Sequence, residues 1–267
     1  MPGCLKIKDV NVTFEAGTIN ENHVLKGINF ETEACDFITV IGGNGAGKST
    51  LLNTIAGVFD PDEGHIAIDG IDVTRQAEHK RAKLIGRVFQ DPRMGTATRM
   101  TIEENLAIAM KRGQQRGLKF GQSTKDKEFF REQIKQLDLG LEDRMTTDMG
   151  LLSGGQRQAI TLLMATIVAP KLLLLDEHTA ALDPKTAEQV LTLTEKMVEE
   201  KKLTTFMITH NMQDALRYGN RLIMLHNGRI VVDLNGEEKE KATMEGLLQL
   251  FKQNSQSEIK DDALLLG

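Results

Sequence analysis

The sequence predicts an α/β fold, and three observations carry that prediction. From Leu172 onward, apolar runs of strand length alternate with helix-length amphipathic stretches, the pattern of βαβ units. A glycine-rich loop, Gly42-Gly43-Asn44-Gly45-Ala46-Gly47-Lys48-Ser49, lies between a short apolar strand and a helix. A second glycine pair, Gly154-Gly155, opens another helix, and the next apolar run ends in the carboxylates Asp176-Glu177.

Residues Leu5 to Phe14 and Val24 to Glu33 alternate apolar and polar and read as half-buried strands joined by a loop, Glu15 to His23. Phe37 to Ile41 is a strand that stops at the glycines, and Ser49 to Ala56 is helical. Turn signals at Pro61-Asp62-Glu63-Gly64 and Asp69-Gly70 bracket a short strand, His65 to Ile68. Ile85 to Phe89 is a buried strand ending at Gln90, and Thr101-Ile102-Glu103-Glu104 is a capping box for a helix reaching about Met110. The polar stretch Lys111 to Lys127 reads as a loop, and Phe129 to Leu139 as an amphipathic helix.

Gln156 to Val168 is then a helix stopped by Ala169-Pro170. Strands follow at Leu172 to Leu175, Thr204 to Ile208, Arg221 to Leu225 and Arg229 to Leu234, the last two joined by Asn227-Gly228. Helices are expected at Lys185 to Lys201, Met212 to Tyr218 and Thr243 to Lys252, before a polar tail over 253–267.

Hydrophobic residues make up 40% and charged residues 27% of 267 positions, enough apolar material for a large core. A net charge of −5 argues against a surface that holds nucleic acid by neutralising phosphates. Cys4 and Cys35 have no metal-ligand spacing and form no disulfide framework, as expected in a reducing compartment. Met1-Pro2-Gly3-Cys4 lacks a signal-peptide layout, and no apolar run approaches the roughly 20 residues that cross a bilayer.

The first glycine-rich element fits the pattern G-x-x-x-x-G-K-[ST]. Backbone N–H groups converging on phosphate oxygens require side chains to be absent where such a loop bends. In this reading Gly42, Gly43, Asn44, Gly45, Ala46 and Gly47 cradle the phosphates of a nucleotide. Lys48 supplies charge to the β- and γ-phosphates, Ser49 ligates Mg²⁺, and Thr50 donates to the α-phosphate.

Asp176 and Glu177 lie where ligands gather in open α/β sheets, at the C-terminal end of a strand. Asp176 is suited to orienting the metal, and Glu177 to polarising an attacking water. His210 follows another strand and suits a neutral contact to the γ-phosphate. Gln90 ends its strand similarly and offers an uncharged amide to Mg²⁺ or the water. Phe14, read alone, is a core residue.

On these residues the chain resembles the ATP-binding-cassette (ABC) ATPases over nearly its whole length. The phosphate loop, Gln90, Leu152-Ser153-Gly154-Gly155-Gln156, Asp176-Glu177, Ala181-Leu182-Asp183 and His210 appear in the family's order. The resemblance implies a P-loop ABC cassette: a RecA-like core with an antiparallel β subdomain and a helical subdomain at about 91–154, forming one ATPase domain over 1–252.

By the same resemblance, ATP and Mg²⁺ are bound and two copies pair head to tail. Ser153, Gly155 and Gln156 of one copy then face the γ-phosphate held by Lys48 of the other. Asp183 reports across that interface, and Phe14 becomes an adenine-stacking aromatic. Ser153 also suits the N-cap of the helix beginning near Gly155. His178 and Ala180 depart from the family, standing where many transporter ATPases carry Pro and Ser.

The resemblance narrows to a bacterial importer subgroup paired with a multi-span permease and an extracellular substrate-binding lipoprotein, some of whose members carry aromatic amino acids. The chain would then work at the cytoplasmic face of the membrane. Its solute would be small, an amino acid for instance, and it would not bind nucleic acid. Met94, Met100, Met145 and Met149 are candidates for the permease contact, with a core role equally open. Two alternatives remain at this point: an ABC ATPase acting on nucleic acid or the ribosome, and an exporter subunit.

Overall fold

The computed structural model describes residues 4–114 and 123–253. In chain order the elements begin with strands β1 (Leu5–Phe14), β2 (Asn22–Glu31) and β3 (Phe37–Gly42), then helix α1 (Lys48–Ala56). Strands β4 (Glu63–Ile68) and β5 (Ile71–Asp72), helix α2 (Glu78–Arg81) and strand β6 (Ile85–Val88) follow. Helices α3 (Ile102–Met110), α4 (Thr124–Lys135) and α5 (Gly154–Thr166) precede β7 (Leu172–Asp176) and α6 (Pro184–Lys201). The chain continues through β8 (Thr204–Ile208), α7 (Met212–Arg217), β9 (Arg221–His226), β10 (Arg229–Asn235) and α8 (Gly236–Glu240) to α9 (244–253).

These elements form two compact units, one from residues up to Glu78 together with those from Thr204 on, the other His79–Leu203. In the first unit, β2-β1-β4-β5 form an antiparallel sheet. A second sheet runs β10-β9-β3-β8, with β3 parallel to both β8 and β9, and β10 antiparallel to β9. The central strand β3 buries Phe37, Ile38, Val40 and Ile41 together with Thr39, without the in–out alternation of a half-exposed strand, as expected for a parallel strand covered on both faces. Leu51, Leu52 and Ile55 of α1 are fully buried, and Leu247 of α9 joins the cluster of Ile41, Ala215, Leu222, Met224 and Val232.

The second unit pairs β6 with β7 in parallel, with register Ile85↔Leu172 through Val88↔Leu175. Helices α3 and α4 bury Ile102, Leu106, Phe130 and Ile134, while α5 buries ten of its thirteen residues. Both α3 and α4 start on capping boxes: Thr101 with Glu104, and Ser123 with Asp126. No helix among the described residues is long and apolar enough to cross a membrane.

Several expectations need correction. Helix α4 starts at Thr124, inside the stretch read as a loop, because the Ser123–Asp126 box initiates it five residues before Phe129, and it stops at Lys135. Strand β6 ends at Val88, so Gln90 lies two residues past it. The two-residue β5 and the short helices α2 and α8 are too brief to show periodicity. Of the methionines whose role the sequence leaves open, Met145 and Met149 take the core alternative, whereas Met94 is exposed. Of the expected loop, 115–122 lies outside the described residues, as does the expected tail beyond Gln253.

Candidate nucleotide site

In the first unit the phosphate loop leaves the C-terminal end of β3. Steric crowding explains its first glycine: a Cβ on Gly42 would stand 2.4 Å from the Leu225 carbonyl oxygen. Gly45 and Gly47 have φ of 78° and 97°, a backbone region that disfavours side chains. Helix α1 begins on Gly47 with no side-chain cap, so no side-chain oxygen competes for its first N–H groups. Lys48 is buried and donates to the Gly42 carbonyl at 2.8 Å and the Gly43 carbonyl at 3.1 Å. An ammonium has three protons, so two anchor the side chain and one is left to direct at an anion. Gly43, Asn44, Gly45 and Ser49 are exposed, with Thr50 half-buried. This cradle of bare backbone around a held cation fits a polyphosphate.

His210 emerges at the same edge. Strands β3 and β8 run parallel with Val40 opposite Ile208, so the chain leaves β8 for Thr209 and His210 beside the start of the loop. His210 is exposed. Phe14 ends β1 half-buried, edge-on to Phe59 with centroids 5.1 Å apart.

In the second unit a parallel pair repeats the arrangement. Val88 lies opposite Leu175, so Gln90 and the Asp176-Glu177 pair leave β6 and β7 at one edge. Asp176 has the guanidinium of Arg87 3.8 Å from Oδ2, and Arg87 also covers the Phe89 ring at 4.5 Å. Glu177 sits at φ 43°, turning the chain out of the strand. His178 is buried and its imidazole is pushed down to about 4 by desolvation, so it is neutral. Asp183, expected to report across an interface, caps α6 through the Thr186 N–H at 3.1 Å.

Ser153 caps α5 as expected, and the structure adds its reciprocal partner. Gln156 N–H donates to Ser153 Oγ at 3.3 Å, and Ser153 N–H donates to Gln156 Oε1 at 3.2 Å. Gly155 has an internal reason to be glycine: a Cβ there would lie 2.1 Å from the Thr186 methyl carbon. Sequence reasoning missed Arg157, which donates to the carbonyls of Met149, Gly150 and Leu152 and shapes the approach to Ser153. It also missed Gln158, fully buried, whose amide reaches the Phe89 carbonyl at 3.4 Å beside Gln90. Both residues are polar on a helix that is otherwise buried, a signal legible only once the helix face is known.

Among the described residues no cluster of three or more His, Cys, Asp and Glu side chains forms a metal site. A Mg²⁺ carried by phosphates needs only one or two protein oxygens, and within the first unit the exposed Ser49 hydroxyl beside the phosphate loop fits such a donor.

Comparison with known proteins decides what this machinery belongs to. Residues 25–180 match the ABC transporter family model. The chain belongs to the ABC transporter ATPases. A tyrosine transport ATP-binding protein of Clostridioides difficile is 44% identical over 93% of this chain and 98% of that relative. A thiamine import ATP-binding protein of Shigella boydii is 30% identical over 88% of this chain and 93% of its own length. Among solved structures, a dimeric ATP-binding cassette in a post-hydrolysis state with ADP and Pi aligns with a TM-score of 0.73 at 30% identity, covering 86% of this chain and 98% of that one. As an ABC ATPase the chain binds and hydrolyses ATP, and its fold is the ABC cassette, with the antiparallel sheet and helical parts that the resemblance implied.

Proposed function

We propose that this chain is the ATP-hydrolysing subunit of an importer for tyrosine or a closely related amino acid, driving a separate membrane permease from the cytoplasmic face. The 44% identity to a tyrosine transport ATP-binding protein, sustained over nearly the full length of both chains, carries this reading. Import of other small solutes by more distant relatives, such as thiamine, supports the direction of transport. An extracellular lipoprotein receptor would deliver the solute, and nucleic acid is not a partner.

The residue roles belong to the same proposal. One ATPase domain spans 1–252, with its helical part at about 91–154. Phe14 stacks on adenine, the loop from Gly42 to Gly47 cradles the phosphates, and Lys48 contacts the β- and γ-phosphates while Thr50 donates to the α-phosphate. Ser49, Gln90 and Asp176 hold Mg²⁺, which supplies charge neutralisation at the phosphates. Glu177 accepts a proton from the attacking water, and His210 hydrogen-bonds the γ-phosphate. Ser153, Gly155 and Gln156 come from a second copy placed head to tail, so that the N-terminus of its α5 faces the γ-phosphate. The dimeric cassette among the solved relatives supports two copies.

Uptake of labelled tyrosine, with and without the gene, tests the proposal. Loss of tyrosine uptake on deletion, restored by the parent gene and not by Glu177→Gln, is the expected result. Undiminished uptake of tyrosine, phenylalanine and tryptophan in the deletion strain would remove the solute assignment.

A further inference from the structure

The turn that carries Glu177 is tied down by a buried imidazole to which none of the roles above is given. Glu177 occupies left-handed backbone space at φ 43°, a conformation a residue with a side chain keeps only when its surroundings enforce it. The chain then turns tightly: Ala180 N–H donates to the Glu177 carbonyl at 2.9 Å, and Leu182 N–H to that of Thr179 at 3.1 Å. Inside this turn His178 is 2% exposed, and its Nε2 lies 3.1 Å from Thr194 Oγ1 on α6. The Thr194 hydroxyl has one proton, and its 2.8 Å bond to the Val190 carbonyl takes it. Nε2 of His178 is therefore the donor and the Thr194 oxygen the acceptor, which sets the tautomer and the ring orientation. Thr194 is itself fully buried, so the link is not exchanged for water.

We propose that His178, anchored on Thr194, is a positioning residue that holds the Glu177 carboxylate in its working orientation. The inference rests on the reading of Glu177 as the residue that polarises the attacking water. A misplaced base lowers the rate of the chemical step while leaving nucleotide binding intact, because neither His178 nor Thr194 is asked to touch ATP.

Steady-state hydrolysis of Mg-ATP by the full chain tests this with the near-isosteric Thr194→Val, which removes the acceptor and keeps the volume. Its kcat should fall by about tenfold or more with KM for ATP within about twofold of the parent. Thr194→Ser and His178→Gln, which retain acceptor and donor, should recover to within about threefold of the parent. On a Glu177→Gln background Thr194→Val should add no further loss in single-turnover hydrolysis, since the group it positions is already gone. Parent-like kcat in Thr194→Val, a KM that rises in step, or the same proportional loss on both backgrounds overturns the positioning role while Glu177 keeps its own. Full turnover by Glu177→Gln alone overturns both, so the two failures are distinguishable.

Discussion

The proposed roles give chemistry to Glu177 and nucleotide binding to Lys48, and substitutions should separate them. Glu177→Gln preserves shape and hydrogen bonding but removes the basic carboxylate. ATP affinity should be retained, with hydrolysis slowed by roughly 10²–10⁴ as measured by phosphate release. Turnover equal to the parent's would exclude a general-base role. Lys48 is held by two backbone carbonyls and contributes a desolvated cation. Lys48→Ala should weaken nucleotide binding itself, read directly by calorimetry, and an unchanged Kd would contradict the assignment. The sequence made both residues legible because each sits in a local pattern: glycine spacing before a helix for Lys48, a strand end for Glu177. It gave no sign of the burial of His178, since that depends on Thr194, sixteen residues away on another element.

Helix α5 has a packing reason for its glycine that is independent of the phosphate contact proposed for it: Thr186 of α6 leaves no room for a Cβ on Gly155. Gly155→Ala should therefore cost about 1–3 kcal/mol in chemical denaturation through overpacking alone. Adding Thr186→Ser, which deletes the crowding methyl, should return much of that stability; no recovery would show that crowding is not the cause. The helix caps make a second prediction at this scale. Glu104 is held below the usual carboxylate range by the Thr101 backbone N–H and then its hydroxyl, and Asp126 likewise by Ser123. Asp183 is lowered by its hydrogen bonds with Thr186, side chain before backbone. Carboxylates depressed in the folded state stabilise it fully above their unfolded values, 4.5 for Glu104 and 3.8 for Asp126 and Asp183, and lose that contribution as pH falls through the folded ones. Thermal melts should show stability declining below about pH 4.5, and Glu104→Gln should flatten the decline; an identical acid profile for that variant would rule out its share.

At the scale of the whole molecule, a site shared between two copies predicts complementation in trans. Lys48→Ala disables the phosphate loop and Ser153→Arg disables the facing α5 terminus, so each variant alone should be nearly inactive. A mixed dimer contains one site with both partners intact and should regain part of the parent activity. Activity no greater than the sum of the two separate preparations would count against the shared site.

What the sequence determined by itself is whatever a few neighbouring residues can encode: the phosphate loop, the caps at Thr101 and Ser153, the strand end at Asp176, the strand that leads to His210, and the order that marks the family. These follow from turn geometry and short-range hydrogen bonding, and both are local in the chain. The tertiary structure alone decided that Met145 and Met149 are core, that Arg157 braces the turn before Ser153, and that Gly155 answers to Thr186. Each of those depends on which distant segment arrives within a few ångströms, and close packing, unlike local propensity, is a property of the assembled interior.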